Sequence, residues 1–309
     1  MTNTWIIGCG DTGKRVSHLL QLQGKDVNAT SHSTDSSKIL VSLGINVFAA
    51  NLDEPESLSN LPVNNSDIFY FAPPPRSGEQ DKRMGNFLDS LDHPRNHSTS
   101  SFPENKQTVR RIVYISTTGV YGDQDGNWIT EETPTAPGNA RSKRRLSAEE
   151  QLKAYCITHK TEYMILRVAG IYDLNKLPIN KINAGLKVLE MKTAPASNRI
   201  HAADLANICI AAMQSKLHNK IFNVADGNPS SISDYFIQTS RIFNLTPPLE
   251  ISWEQAQNDL SPEMLSYLTE SKKIDVKFMQ KELRVTLSFP TLAKGLYACK
   301  KEYDKQNLK

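Results

Sequence analysis

The chain has 309 residues, of which 39% are hydrophobic and 22% charged, so it is long enough for one large domain or two closely joined ones. Its formal net charge of +3 is too small an excess to indicate nucleic-acid binding by itself, and no apolar run approaches the roughly 20 residues that a membrane span needs. The four cysteines form no C-x-x-C pair, and a glycine turn interrupts the first apolar stretch where a signal peptide would continue, so we expect a cytoplasmic protein.

The first predicted elements are a strand at residues 4–8 and a helix at residues 14–23, joined by glycines with G-x-G-x-x-G spacing. In a dinucleotide-binding unit the first glycine makes the tight turn, the second lets the backbone approach a pyrophosphate, and the third lets helix and strand pack closely. The phosphate lies on the free N–H groups of the helix N-terminus. The alternative is an ordinary strand-to-helix turn. The predicted cofactor-binding residues here are Gly8, Gly10, Asp11, Thr12 and Gly13.

Four further β-rich runs follow, separated by helical or polar segments. They are residues 25–31, 45–52, 67–75 and 109–122. This alternation is typical of an α/β protein, so we predict a Rossmann-type doubly wound, predominantly parallel sheet.

The end of the second strand indicates which dinucleotide binds. An acidic residue there would bind the ribose 2′-hydroxyl of NAD, whereas its absence favours the 2′-phosphate of NADP. The chain has Ser31, His32 and Ser33 there, and no acid before Asp35. We therefore predict a modest preference for NADP over NAD, which one ordered Arg or Lys elsewhere would reverse or reinforce. The alternative is that this polar run is only a solvated loop.

A polar insertion precedes the fifth strand. Residues 92–107 contain prolines and show no periodicity, so we predict a surface loop. His93 and His97 lie in it, but a metal site would need more ligands nearby, and we predict none.

Two later runs predict the C-terminal organisation. Residues 166–172 and 220–231 each contain a short strand. We assign residues 1–172 to the Rossmann domain, with residues 201–225 returning to it. A smaller C-terminal substrate lobe then comprises residues 173–200 and 226–309.

Segments along nearly the whole chain resemble those of extended short-chain dehydrogenases/reductases. They include GCGDTG, AANLDEPESL, IVYISTTGVYG, YMILRVAGIY, NRIHAADLA, IFNVADG and FPTLAKGL. The chain is therefore identified as an atypical member of the NAD-dependent epimerase/dehydratase family, most similar to the bacterial YeeZ-like proteins. The resemblance implies an NAD(P)-binding oxidoreductase that acts on a small or nucleotide-linked, sugar-type substrate.

The same resemblance assigns residues at the ends of the third, fourth and fifth strands. Those implied to line the cofactor site are Asn51, Leu52, Ala72, Pro73, Pro74 and Ser116. Counting back from Val120, Tyr121 and Gly122 puts Thr117 at the family's catalytic Ser/Thr position, where a hydroxyl binds the substrate oxygen. The alternative is that Thr117 is simply a β-branched strand residue.

The proton donor is the main departure from the family. Extended members carry Y-x-x-x-K on the next helix, where the Tyr transfers a proton and the Lys lowers its pKa. Aligning Ala148 and Glu149 with the family puts Arg145 at the Lys position and Arg141 at the Tyr position. Aligning on Ser-Lys instead gives Lys143 and Asn139. Neither alignment supplies a tyrosine.

The missing tyrosine leaves two interpretations open. A positioned general acid contributes about 10²–10⁴-fold, and Arg stays protonated, so the chain is either an enzyme with a substituted donor or a non-catalytic NAD(P)-binding regulator or redox sensor. Tyr121 and Tyr172 are candidate substitutes, although both positions more often pack structurally in the family.

The basic run at residues 141–145 has three interpretations. It is a solvated helix face, a site for cofactor or substrate phosphate, or a nucleic-acid contact. The mild overall charge makes nucleic acid the weakest of these.

Further departures concern the substrate side. Relatives continue with Gly-Pro-Gly after the tyrosine at position 172, whereas this chain does not. Tyr121, Arg199 and His201 are candidate contacts to a small anionic substrate, with local hydrogen bonding as the alternative for the last two. Asp204 is predicted to cap the following helix. Relatives often form dimers through helices that flank the sheet, so a homodimer is expected.

Overall fold

The computed structural model describes residues 3–59, 61–92 and 108–307. His93, His97 and the rest of the predicted surface loop beyond residue 92 lie outside the described residues. Within the described ranges, no helix has the length and apolar character needed to cross a membrane.

The elements alternate between strand and helix as far as the middle of the chain. The first of them are β1 (Asn3–Ile7), α1 (Asp11–Leu22), β2 (Val27–Ser31), α2 (Thr34–Ser42), β3 (Asn46–Ala49), β4 (Ser66–Tyr70), α3 (Lys82–Asp92), β5 (Val109–Thr117), β6 (Trp128–Ile129), α4 (Ala140–His159) and β7 (Glu162–Val168). They are followed by β8 (Gly170–Tyr172), α5 (Ile179–Asn183), β9 (Lys187–Leu189), β10 (Ala196–Ser197), β11 (Arg199–His201), α6 (Ala202–Gln214), β12 (Lys220–Val224), β13 (Ser230–Ser231), α7 (Ile232–Ile242), β14 (Leu249–Ile251), α8 (Trp253–Asp259), α9 (Pro262–Leu268), β15 (Lys273–Ile274), α10 (Lys277–Leu283) and α11 (Leu292–Asn307). Short 3₁₀ helices cover Pro55–Leu58, Thr118–Tyr121 and Leu174–Lys176.

A seven-stranded sheet confirms the predicted Rossmann-type architecture. Its strand order is β12-β7-β5-β4-β1-β2-β3, and the pairs β1 with β2, β1 with β4, β2 with β3 and β4 with β5 are all parallel. The order reverses between β1 and β4, and ligands of doubly wound sheets bind at the carboxyl ends of the strands beside such a reversal.

Both faces of this sheet are buried. Alternate residues of each strand point to the same face, and Trp5, Tyr70 and Tyr114 share one apolar cluster with side chains of α3 and α4. Their sequence neighbours Ile6 and Phe69 are also fully buried. A strand that is covered on both faces is a nearly continuous apolar run in the sequence, and such runs predicted the strands of this sheet.

The chain divides into two compact units. The first comprises residues 1–120, 137–167 and 206–222, and the second comprises residues 121–136, 168–205 and 223–309. The predicted division differs from this one, because it extended the first domain to residue 172 and kept residues 121–136 within it. In the second unit, β6 pairs with β15, which lies about 145 residues later in sequence. Because the two strands are so far apart in sequence, no pattern within a short stretch of the chain predicts that they pair.

The fifth predicted strand ends at Thr117, one of the two residues that the family resemblance places at its end. Within the β-rich run of residues 109–122, β5 therefore stops at Thr117 and a 3₁₀ helix follows. Gly119 lies in this 3₁₀ helix, and a Cβ atom on it would lie 2.6 Å from Oγ of Ser142 on α4.

Candidate functional site

A pocket of about 370 Å³ lies in the first unit at the carboxyl ends of β1 to β4. Its position beside the reversal of strand order is where a doubly wound sheet binds nucleotides. The lining residues are Gly8, Cys9, Gly10, Thr30, Ser31, His32, Ser36, Leu40, Ala50, Asn51, Leu52, Asp53, Phe71, Ala72, Pro73 and Arg83. Most of the predicted cofactor-binding residues are thus brought together, whereas Asp11, Thr12, Gly13, Ser33, Pro74 and Ser116 are outside this lining.

The glycine turn has the backbone geometry that the motif requires. Gly8 has φ +84°, and a Cβ atom on it would lie 2.5 Å from the backbone of Ala72. A Cβ on Gly13 would lie 3.1 Å from Ile6, so this glycine lets α1 pack on β1. Nothing lies within 4 Å of the corresponding position at Gly10. Gly10 is therefore not needed for packing, and its open side is free for a ligand.

The start of α1 is suited to an anion. Gly10 is the N-cap residue and supplies no side-chain acceptor to the first N–H groups of the helix. These N–H groups and the positive end of the helix dipole favour a phosphate. Asp11 and Thr12 form this first turn, and the carboxylate of Asp11 accepts a hydrogen bond from Arg15 at 3.4 Å.

Three residues at the end of β2 were predicted to bind the cofactor, and two of them, Ser31 and Ser33, form hydrogen bonds with neighbouring residues of the chain. The hydroxyl of Ser31 donates to the carbonyl of Ser33 at 3.2 Å, and the hydroxyl of Ser33 accepts from the N–H of Ser36 as the N-cap of α2. His32 is exposed and lines the pocket. The polar run is therefore partly a helix-capping loop, as its alternative interpretation held.

The opposite wall contains an ion pair that the sequence reasoning missed. Arg83 on α3 donates from Nε and Nη2 to the two carboxylate oxygens of Asp53, at 2.7 and 2.5 Å, and from Nη1 to the carbonyl of Pro73 at 3.1 Å. The Arg83 hydrogen bond lowers the pKa of Asp53 below its ordinary value, and the charge of His32 acts in the same direction. No local pattern signals this pair, because 30 residues separate its members.

Asn51 and Leu52 are held by their own loop. The side-chain oxygen of Asn51 accepts from the N–H of Asp53 at 3.1 Å, and its amide donates to Glu54 at 2.8 Å. Asn86 on α3 donates to the carbonyl of Leu52 at 2.8 Å. This wall of the pocket is therefore fixed before any ligand binds.

Two hydroxyl groups flank Gly119, just after the end of β5. Oγ1 of Thr117 accepts from the N–H of Gly119 at 3.1 Å, and a Cβ atom on Gly119 would lie 3.4 Å from that oxygen and 2.6 Å from Oγ of Ser142. The adjacent Ser116 is instead buried, with its hydroxyl donating to Glu149 at 2.5 Å. Sequence reasoning missed Ser142, which the packing of α4 brings beside Gly119.

The basic run on α4 divides between β5 and a neighbouring loop. Arg145 donates to the carbonyl of Ile115 at 2.9 Å and to the phenol of Tyr114 at 3.3 Å. Arg144 is buried and donates to the carbonyl of Gly78 at 2.6 Å, while Lys143 pairs with Glu79 at 2.7 Å. Arg145 therefore faces the strand that carries Thr117, and Lys143 does not.

The two remaining motif positions lie at the start of α4. Arg141 is exposed. Asn139 is the N-cap residue of α4 and accepts from the N–H of Ser142 at 2.9 Å. Its side chain is therefore used in starting the helix.

Tyr121 and Tyr172, the candidate substitute donors, are buried in the second unit. The phenol of Tyr121 donates to Oδ1 of Asn223 at 2.8 Å. Burial raises the pKa of Tyr172, whose phenolic oxygen has no hydrogen-bond partner among the described residues. Both tyrosines therefore have the surroundings of packed core residues.

Arg199 and His201 are buried with local partners. Arg199 lies over the ring of Tyr235 at 4.6 Å and donates to the carbonyl of Ser231 at 3.0 Å. Nδ1 of His201 accepts from the N–H of Ala203 at 3.2 Å, at the start of α6. These contacts agree with the alternative interpretation of both residues, in which they form local hydrogen bonds and do not contact a substrate.

Asp204 does not cap α6, which corrects the prediction made for it. It lies inside the first turn, and its carboxylate accepts from the N–H groups of Ser288 and Phe289 at 2.8 and 2.9 Å. His201 bonds to the helix start instead, so Asp204 is free to hold a segment that is distant in sequence.

Among residues 3–59, 61–92 and 108–307, no group of three or more His, Cys, Asp or Glu side chains is arranged to hold a metal ion. All four cysteines lie within the described residues, and none of them forms a disulfide.

Comparison with known families gives one match that spans most of the chain. The sequence model of the NAD dependent epimerase/dehydratase family matches residues 6–225. Among curated proteins, the chain is 22% identical over 177 residues to human dTDP-D-glucose 4,6-dehydratase, covering 54% of this chain and 50% of that protein. It is 27% identical over 144 residues to Protein YeeZ of Escherichia coli K12, covering 45% and 48%. These alignments span about half the length of the curated relatives.

Solved structures resemble nearly the entire chain. A functionally unknown conserved protein from Silicibacter pomeroyi aligns with a TM-score of 0.82 at 24% identity, covering 98% of this chain and 100% of that one. A UDP-glucose 4-epimerase from Thermotoga maritima, solved with UDP-glucose, aligns at 0.78 and 15% identity over the whole of both chains. A UDP-glucuronic acid 4-epimerase from Bacillus cereus, in complex with NAD, aligns at 0.72 and 16% identity, again over the whole of both. At these identities the likeness establishes the fold.

Proposed function

The chain belongs to the NAD-dependent epimerase/dehydratase family, and on that premise we propose that it is an NAD(P)-dependent oxidoreductase of the epimerase/dehydratase type. We propose a small, anionic or nucleotide-linked sugar as its substrate, by analogy with the neighbours solved with UDP-glucose or NAD. The observation that carries the proposal is the turn from Gly8 to Gly13. Its first and last glycines are required by packing, whereas Gly10 has open space on the side where a pyrophosphate would bind.

The residues around the pocket fit a dinucleotide. The N–H groups at the start of α1 would hold the pyrophosphate, Asn51 and Leu52 the adenine, and Ala72 and Pro73 the ribose on the nicotinamide side. When bound, NAD(P) takes up or supplies a hydride at its nicotinamide ring. The finer proposal, a modest preference for NADP, is supported by His32 and by the absence of an acid at the end of β2.

Thr117 and Arg145 are the residues of β5 and α4 that we propose to act beside the reacting atoms. The hydroxyl of Thr117 would bind the substrate oxygen that gains or loses a proton. Arg145, which one of the two alignments puts at the family's lysine position, donates to the carbonyl of Ile115 on β5. Its guanidinium stays charged at neutral pH, so it would bind a ribose hydroxyl or a substrate anion and would not transfer a proton.

The second candidate function is a non-catalytic NAD(P)-binding regulator or redox sensor. It is supported by the two sequence alignments, neither of which places a tyrosine at the family's proton-donor position: one puts Arg141 and Arg145 at the Tyr and Lys positions, and the other puts Asn139 and Lys143 there. Loss of the general acid would reduce hydride chemistry about 10²–10⁴-fold. Under either function we propose a cytoplasmic location, supported by the four cysteines that form no disulfide, and association as a homodimer.

The test is calorimetric titration of the purified chain with NAD, NADH, NADP and NADPH, beside Gly10→Asp. Micromolar binding that Gly10→Asp abolishes is the expected result, because a carboxylate would occupy and repel the pyrophosphate position. A screen of sugar nucleotides for a change in nicotinamide absorbance then separates the two functions, with Thr117→Ala as the control for turnover. Binding without any turnover would support the regulator, and no binding of any form would overturn both.

A further inference from the structure

The strongest unexplained feature of the pocket is the ion pair between Asp53 and Arg83. Among the described residues that line the pocket, Asp53 is the one carboxylate and Arg83 the one permanent cation. Three N–H groups of Arg83 are engaged, two by Asp53 and one by the carbonyl of Pro73. The side chains of Arg83 and Asp53 are 26% and 50% exposed, so both are accessible to a ligand.

The pair lies within electrostatic reach of the end of β2. His32 lines the same pocket, and its charge contributes, after the Arg83 hydrogen bond, to the lowered pKa of Asp53. A group bound at His32 would therefore also interact with Asp53. A 2′-phosphate carries about two negative charges there, whereas a 2′-hydroxyl carries none.

We infer that the Asp53–Arg83 pair determines how strongly this pocket discriminates between NADP and NAD, with Asp53 as the residue that limits the preference for NADP. This inference rests on the proposed nucleotide site. Asp53 neutralises Arg83 and fixes its guanidinium toward Pro73, so that a 2′-phosphate meets a neutral pair instead of a free cation. The end of β2 has no acidic residue, and in this inference Asp53, in the loop after β3, is the acidic residue that disfavours a 2′-phosphate.

The pair differs from a simple surface salt bridge in its predicted effect on selectivity. Removing only Asp53 would leave Arg83 with a free charge, and a charge-assisted hydrogen bond to phosphate is worth roughly ten- to a hundredfold in affinity. Removing only Arg83 would leave an uncompensated carboxylate that repels the 2′-phosphate. Removing both would restore a neutral wall, so the two substitutions should compensate each other.

The experiment measures dissociation constants of NADH and NADPH by fluorescence titration for the full chain. The variants are Asp53→Asn, Arg83→Gln and the double variant, with Asp89→Asn as the matched control. Asp89 is an exposed carboxylate on the same helix as Arg83 and does not line the pocket. Circular dichroism and the Tm of each variant confirm that the fold is retained.

Asp53→Asn is expected to raise the affinity ratio of NADPH to NADH about tenfold, and Arg83→Gln to lower it by a similar factor, with the double variant near wild type. Asp89→Asn should leave the ratio unchanged. An unchanged ratio in Asp53→Asn, while Gly10→Asp still abolishes binding, would overturn this inference and leave the proposed function intact. If wild type binds neither nucleotide, the proposed function fails first, and the inference fails with it.

Discussion

The guanidinium of Arg167 on β7 donates to both carboxylate oxygens of Glu149 on α4, with its shortest bond at 2.7 Å. The two side chains are 4% and 0% exposed. Ser116 on β5 donates to the same carboxylate at 2.5 Å. This one carboxylate therefore joins the helix of the basic run to two strands of the sheet, including the strand that ends in Thr117.

Replacing Glu149 with Gln is expected to destabilise the protein by about 3–5 kcal/mol. The substitution removes the negative charge that pairs with the buried guanidinium of Arg167, and breaking a buried ion pair from one side costs much more than the net contribution of the pair. Urea unfolding measures the loss. The control is Glu150→Gln, an exposed neighbour on the same helix, for which a change within about 0.5 kcal/mol is expected. Equal unfolding midpoints for the two variants would contradict this role of Glu149.

Replacing the first glycine of the turn with alanine is expected to destabilise the protein strongly, whereas replacing the second is expected to leave its stability nearly unchanged. Gly8→Ala should lower stability by more than about 3 kcal/mol, because Gly8 has φ +84° and its Cβ would lie 2.5 Å from the backbone of Ala72. Gly10→Ala should change stability by less than about 1 kcal/mol, because its φ is −78° and its Cβ would meet nothing within 4 Å. Thermal unfolding and nucleotide titration of both variants are the measurements.

Gly10→Ala should nevertheless weaken nucleotide binding at least tenfold, because the added methyl group would lie against the proposed pyrophosphate. Its unchanged stability makes this loss attributable to the site. Full binding by Gly10→Ala would indicate that the pocket holds its ligand elsewhere.

Arg111 is expected to be required for the end of α6. Its side chain is 3% exposed, pairs with Glu162, and donates to the carbonyls of Ala212, Met213, Ser215 and Leu217 at 2.7–3.1 Å. Lysine cannot reproduce this planar set of donors, so Arg111→Lys should cost about 3 kcal/mol. Urea unfolding is the measurement. Arg110→Lys, at a neighbouring side chain that is 42% exposed and pairs with Asp67, should cost less than about 1 kcal/mol.

The sequence was sufficient for the features that depend on neighbours in the chain. Buried strands are continuous apolar runs, and the glycine turn requires Gly8 wherever α1 follows β1 so closely. The Rossmann-type fold was therefore predictable, and so were eight of the sixteen residues that line the pocket. The pairing of β6 with β15 was not, because about 145 residues separate the two strands.

The site residues that were missed depend on pairs distant in sequence. Arg83 meets Asp53 only because α3 packs beside the end of β3, and no periodicity encodes that contact. Arg199 and His201 show the opposite case, in which polar residues inside a recognisable motif are used for local packing. Residue type and motif position identify candidates, whereas tertiary contacts decide which of them face a ligand.

Asp226 is expected to make stability depend on pH. Burial raises the pKa of this carboxyl from its ordinary 3.8 to about 6, against the opposing effects of the Asn228 N–H group and Arg199. The folded protein therefore keeps a proton that the unfolded chain releases. Below about pH 4 both states are protonated and Asp226 costs nothing. Between pH 4 and 6 stability is lost, by about 2–3 kcal/mol in total, and above pH 6 the loss is constant.

Asp226→Asn removes this titration while keeping an acceptor for the Asn228 N–H group, which Asp226 binds at 2.9 Å. The variant should therefore gain stability relative to wild type as the pH rises from 4 to 7, by about 2–3 kcal/mol. Urea unfolding of both proteins across this range gives the difference at each pH. Asp89→Asn, at an exposed carboxylate, serves as the control and should follow the wild-type curve. A constant difference between Asp226→Asn and wild type across this range would mean that folding does not raise the pKa of Asp226.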